Sequence, residues 1–170
     1  LVASRVFERG AVYRAFFGSH NRDLWTTPVK VPSLPLDTFA GGLRPIKKGG
    51  GFQTLSLRMM GENGVQYNIR SIDKDPEKIL PEGLRQTFAQ DLLKDQISVA
   101  NPYGAFAVPK LAEAVGVLHT DPRLVRVPFS PRLGPYLNDF GGMLALLEIR
   151  PDEDLSAYDR FGNSKNVVGT

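Results

Sequence analysis

The chain has 170 residues, 42% of them hydrophobic, and a formal charge of +3, which suits one domain with a buried core rather than a disordered segment. Its 21 basic residues are interspersed with 18 acids, so no basic stripe marks a nucleic-acid footprint, and nucleic acid is not expected as a partner. The absence of cysteine excludes disulfide staples, thiol nucleophiles and cysteine-held zinc.

Along the chain, Val6, Phe7, Tyr13, Phe16 and Phe17 recur at roughly helical spacing and stop at Gly18, which predicts an amphipathic helix. Pro28, Pro32 and Pro35 bar a long helix over 25–36 and predict an extended strap lying across another surface. Residues 39–46 read as a strand weakened or bulged by Gly41 and Gly42. The clearest pattern follows: Leu55, Leu57 and Met59 alternate with polar residues, as do Val65, Tyr67 and Ile69. Period-2 alternation on both sides of Gly61-Glu62-Asn63-Gly64 predicts a β-hairpin with strands over 54–60 and 65–72. Leu84, Phe88, Leu92, Leu93 and Ile97 share one face of a predicted helix over 81–97, opened by Pro81 and packed across the same sheet. A shorter helix is expected from Pro109 to a stop at Gly116. The apolar runs 124–127 and 143–149 fit buried strands, although periodicity alone leaves helix open for the second. Three parts are therefore expected: an N-terminal helix and strap over 1–36, an α+β domain over 37–150, and a polar linker over 151–170.

Candidate chemistry is sparse. His20 and His119 stand in unrelated contexts, and no metal site is expected from them. No serine nucleophile elbow, paired-histidine motif or carboxylate pair stands out, so no catalytic residue is assigned. The segment Lys47-Lys48-Gly49-Gly50-Gly51 lies between two predicted strands. Its glycines allow backbone N–H groups close to a phosphate while the lysines bring positive charge, and a ligand-free turn is the alternative. It is not a Walker A loop, which needs Gly-Lys-Ser/Thr opening a helix. Arg70 shares a predicted strand face with Gln66 and Asn68, which would let it reach over the glycines. Asp91 and Asp95, four apart on the 81–97 helix, are candidate ion-pair partners for it by analogy with protein kinases, where a carboxylate of the following helix pairs with the basic strand residue, with ordinary surface roles as the alternative. No apolar run approaches the ~20 residues that span a bilayer, so direct membrane insertion is not expected. The chain begins with Leu1 and carries no signal-peptide pattern; it is expected to be a region of a longer protein, with the C-terminal continuation as one partner.

Two resemblances add to this reading. The runs Trp25-Thr26-Thr27-Pro28-Val29-Lys30-Val31-Pro32, Gly49-Gly50-Gly51-Phe52-Gln53-Thr54, Arg70-Ser71-Ile72-Asp73-Lys74-Asp75-Pro76, Asn101-Pro102-Tyr103-Gly104 and Asp121-Pro122-Arg123-Leu124 resemble a family of uncharacterised bacterial envelope proteins. Members of it can also carry a metallophosphoesterase domain or an outer-membrane surface-antigen barrel, so the resemblance implies a periplasmic or envelope location. The order of glycine turn, hairpin, basic strand residue, two helices and apolar strand is similar to the N-terminal lobe of atypical kinases. That likeness implies an antiparallel sheet packed by helices, a nucleotide or other phosphorylated ligand over Lys48, Gly49, Gly50, Gly51 and Arg70, and Glu148 on the strand leading to an adenine-contacting hinge. Kinase chemistry also needs a catalytic Asp and metal-holding side chains from a large lobe, for which the chain after Ile149 has no room. ATP with magnesium is thus implied only for the longer protein, and this chain alone is expected to be a catalytically incomplete lobe. A structural or protein-interaction module beside an outer-membrane barrel is the alternative.

Overall fold

The computed structural model describes residues 1–50, 53–76, 80–152 and 154–167. The fold is α+β around one five-stranded antiparallel sheet. Its strands are β1 (Leu43–Gly49), β2 (Ser56–Gly61), β3 (Gln66–Ser71), β4 (Arg123–Arg126) and β5 (Leu144–Ile149), in the order β1-β2-β3-β5-β4. The predicted hairpin is β2–β3, with Leu57 opposite Ile69 and Met59 opposite Tyr67. Its turn takes positive φ only at Gly64, at 78°, while the Asn63 carboxamide oxygen accepts the Val65 N–H at 3.1 Å.

Alternation divides the sheet into two faces. Leu57, Met59, Tyr67, Ile69, Ala145 and Leu147 point into the main core, where Leu34, Leu36, Leu133 and Phe140 meet them. On the other face Leu144 packs with Ala3, Phe7, Trp25 and Ile72 in a second core, against which Leu124 and Leu146 also lie. β5 is thus buried from both sides, which explains why its sequence is a continuous apolar run rather than an alternation. Over β1 to β3 the second face is instead polar, with Lys47, Arg58, Asn68 and Arg70 in register.

The strap is extended from Thr27, but Trp25 belongs to a short helix. The helices are α1 (Ala11–Phe17), α2 (Arg22–Thr26), α3 (Phe88–Gln96), α4 (Val108–Ala114) and α5 (Leu137–Phe140). α1 is shorter than its apolar spacing predicted and ends at Gly18, whose φ is 81°; Phe7 lies outside it and is fully buried. Further on, Leu34 N–H donates to the Arg126 carbonyl and Arg126 N–H to the Pro32 carbonyl, both at 2.9 Å. The strap therefore pairs with the end of β4 through one parallel bridge, Ser33 to Arg126, at that edge of the sheet.

The helix predicted over 81–97 is corrected in two ways. A 3-10 turn at Glu82–Leu84 is separated from α3 by Gln86, at φ 58°, and by Thr87, whose hydroxyl caps α3 by accepting the Ala89 N–H. Its expected apolar face is not its packed one: Phe88 is 71% exposed, whereas Asp95 is buried. α3 is anchored by that carboxylate to Arg22 of α2, and the following Ile97 reaches the second core. An ion pair, rather than an apolar stripe, sets the helix's orientation. The C-terminal segment expected as a polar linker is also folded, since Leu155 and Phe161 are buried and Leu155 N–H donates to the Ser164 carbonyl at 2.9 Å. Two apolar side chains six apart have no helical or strand period, so nothing in the pattern announced them.

Candidate functional site

Gly49 ends β1, opposite Ser56 of β2, which is in turn opposite Arg70 of β3 and next to Leu146 of β5. The glycine connection and Arg70 thus occupy one row across the sheet. Gly50 has φ 120°, and a Cβ there would overlap the Thr54 carbonyl oxygen, so both backbone conformation and space demand glycine. Gly51 lies outside the described residues. The strap bridges β4 at Ser33–Arg126 on the opposite edge of the sheet, and Gly49 and Gly50 are exposed.

Lys48 does not join Arg70. A bulge between Pro45 and Lys47 resets the alternation, so that Lys48 stands opposite Leu57 on the core side, where its ammonium bonds Asp139 at 2.6 Å. Lys47 takes the Arg70 face instead, directly opposite Arg58. Neither aspartate expected to partner Arg70 does so. Arg70 Nη2 donates to Glu148 Oε1 at 3.2 Å, and the other Glu148 oxygen accepts the Thr120 hydroxyl at 3.1 Å. Register explains this: Glu148 lies opposite Asn68 and Leu146 opposite Arg70, so Glu148 is the carboxylate one diagonal away. Asp91 sits in the exposed first turn of α3.

Asp95 instead receives both terminal nitrogens of Arg22 at 2.7 Å, a bidentate pair whose side chains are 0% and 1% exposed. The Arg22 Nε also donates to the Gly18 carbonyl at 3.0 Å, and the guanidinium lies over the Tyr13 ring at 5.4 Å. These donors hold the Asp95 carboxyl below the usual carboxylate range, against the opposing effect of burial. The pair is buried and ties α3 to α2, which is a structural role.

Arg70 opens onto a cavity of about 530 Å³. Lys74, Ser71, Gln53, Thr54 and Asn101 give it polar walls, and Trp25, Ile72 and Leu146 give it an apolar floor. That volume and mixture of an apolar base with a few convergent polar groups are typical of small-molecule pockets. Arg70 is half exposed, and Lys74 has no ion-pair partner among the described residues. A second cavity of about 510 Å³ shares Gln53, Thr54, Ser71 and Lys74 and holds Asp73, Asp75 and Lys94. Burial pushes the Asp73 carboxyl up, only partly offset by hydrogen bonds from Ser4 and the Lys74 N–H. The sequence assigns no site role to Lys74, Arg58 or Asn101, and makes Lys48 rather than its neighbour Lys47 the candidate beside Arg70. The Lys47–Arg58 pairing depends on a bulge, and Asn101 approaches through a loop more than thirty residues away, so neither has a local pattern.

Among the described residues no group of three or more His, Asp or Glu side chains could hold a metal ion. His20 bonds the Ser98 hydroxyl, 78 residues on, and His119 the nearby Val117 carbonyl. Among the same residues no helix is long and apolar enough to cross a membrane. Comparison of the chain with protein-family models, curated proteins and solved structures finds no match.

Proposed function

We propose that the Arg70 pocket binds a phosphate-bearing ligand such as a nucleotide, and that the chain is a ligand-holding, catalytically incomplete lobe like the N-terminal lobe of atypical kinases within a longer bacterial envelope protein. The observation that carries this reading is the convergence of Arg70 and Lys74 on one open pocket beside the glycine connection. The order of parts also supports it: glycine turn between β1 and β2, basic residue on β3, helices next, and then the β4–β5 hairpin. Glu148, first read as a hinge residue, acts in this proposal as the counter-ion that orients Arg70.

Trp25 is the only tryptophan in the chain and forms part of the pocket floor, so its emission reports occupancy. Titration with inorganic phosphate should change Trp25 fluorescence saturably. Arg70→Ala should weaken binding about tenfold to a hundredfold, the equivalent of a charge-assisted hydrogen bond of ~1.5–3 kcal/mol. Equal affinity in two equally stable proteins would remove Arg70 from the site. The second reading, a protein-interaction module, draws on the exposed Val108, Leu111 and Val115 along α4. It would lead if phosphate had no effect while an α4 variant abolished assembly with the longer protein's other regions.

A further inference from the structure

The open face of β1 to β3 holds an arrangement that strand pairing alone disfavours. Lys47 lies directly opposite Arg58, and Arg58 lies one diagonal from Arg70, because Arg58 pairs with Asn68 and Arg70 with Ser56. Like charges directly opposite destabilise a sheet, and long side chains reach one another across a diagonal of about 7–8 Å. Neither Lys47 nor Arg58 has a carboxylate within ion-pair distance among the described residues. The one acid in the same row, Glu148, is already held by Arg70 and Thr120. Three cations thus follow one another from the pocket out across the sheet with a single engaged counter-charge.

We propose that the anion held at Arg70 is one end of a diphosphate, whose second phosphate lies on the Lys47–Arg58 pair, and that it binds as the free anion rather than as its magnesium complex. This inference rests on the Arg70 pocket taking phosphate. A second phosphate supplies the counter-charge that Lys47 and Arg58 lack, with Arg58 offering a planar fork of donors to its oxygens. Magnesium prefers carboxylate and phosphate oxygens, and this row offers it only the occupied Glu148. Asp73 and Asp75 line the neighbouring cavity rather than the Arg70 pocket. Magnesium would therefore neutralise the ligand's charge without gaining a ligand from the row.

The test is calorimetric titration of the 170-residue chain with orthophosphate, with pyrophosphate, and with pyrophosphate plus magnesium chloride at constant ionic strength. Pyrophosphate is expected to bind about tenfold or more tightly than orthophosphate, the scale of one added charge-assisted contact. Lys47→Gln and Arg58→Gln should each reduce that advantage while leaving orthophosphate binding and folding intact, and magnesium should weaken pyrophosphate binding. Equal affinity for the two anions, an advantage that survives both substitutions, or tightening by magnesium would each overturn the inference while leaving the Arg70 pocket standing. Absence of orthophosphate binding, or its indifference to Arg70→Ala, would overturn the pocket reading as well.

Discussion

Replacing Asp95 with Asn tests the claim that a buried ion pair positions α3. The carboxylate takes two hydrogen bonds of 2.7 Å from Arg22, and both side chains are fully buried. Asn keeps the shape but loses the charge and one acceptor, so Arg22 is left buried and uncompensated, with Gly18 as its remaining hydrogen-bonded carbonyl. Breaking a buried pair from one side costs about 3–5 kcal/mol. In a domain of this size that lowers the melting temperature by roughly 6–20 °C, at about 2–4 °C per kcal/mol. Thermal unfolding followed by Trp25 emission suits the measurement, because the indole Nε1 donates to the Ala100 carbonyl just beyond α3. The double replacement Arg22→Met/Asp95→Leu should recover most of the loss, since it leaves no buried charge. A melting temperature for Asp95→Asn within about 2 °C of the parent would refute the argument. pH gives an independent check. Because the folded-state pKa of Asp95 is depressed, the pair's stabilisation is present above the unfolded carboxylate pKa of about 3.9 and is lost as pH falls through the lower folded value.

Asp73 should behave with the opposite sign: its folded pKa is raised, so its charge costs stability as pH rises from the ordinary carboxylate pKa through the folded value. Asp73→Asn is therefore expected to melt higher than the parent at pH 7 and level with it near pH 3, and a lower melting point at pH 7 would count against that. Gly64→Val forces a β-branched residue into positive φ with open space around it, so the cost is backbone strain alone, about 1–2 kcal/mol in denaturant titration. Gly50→Ala meets the Thr54 carbonyl as well as positive φ, and should open the β1–β2 connection, seen as faster amide exchange at Ser56. Unchanged exchange there would show that the turn relaxes without cost.

The hairpin and the α+β class were legible because alternation over β2 and β3 is strict and the Gly64 turn chemistry is local. β5 was legible as an apolar run, but its strand identity needed its partners on both sides. The α3 orientation was hidden, because Phe88 and Leu92 form a helical stripe that solvent receives while Asp95 turns inward. Arg22, 73 residues earlier, is the main group that offsets that burial. At the site, the sequence placed the glycines at the start of the hairpin and Arg70 on its second strand, and the register puts them in one row across β1, β2 and β3. Lys48 could not be placed, since one bulged residue exchanges its face with that of Lys47. The Glu148 contact likewise depended on register between β3 and β5, which are separated in the chain by α3, α4, β4 and α5.

The strap along β4 bears on how the molecule behaves among copies of itself. With residues 32–34 hydrogen-bonded to Arg126, the strap occupies the N–H and carbonyl of that residue, which another chain could otherwise pair with. The opposite flank, β1, is interrupted by Pro45 and a bulge and carries two lysines, all of which discourage addition of a further strand. Protection is thus unequal in kind: one flank is guarded by its own composition, the other by a removable cover. Proteolytic nicking within 28–33 would free β4, whose apolar Leu124 and Val125 would then template intermolecular pairing, and cleavage there should register as fibril or oligomer growth rather than simple loss of fold.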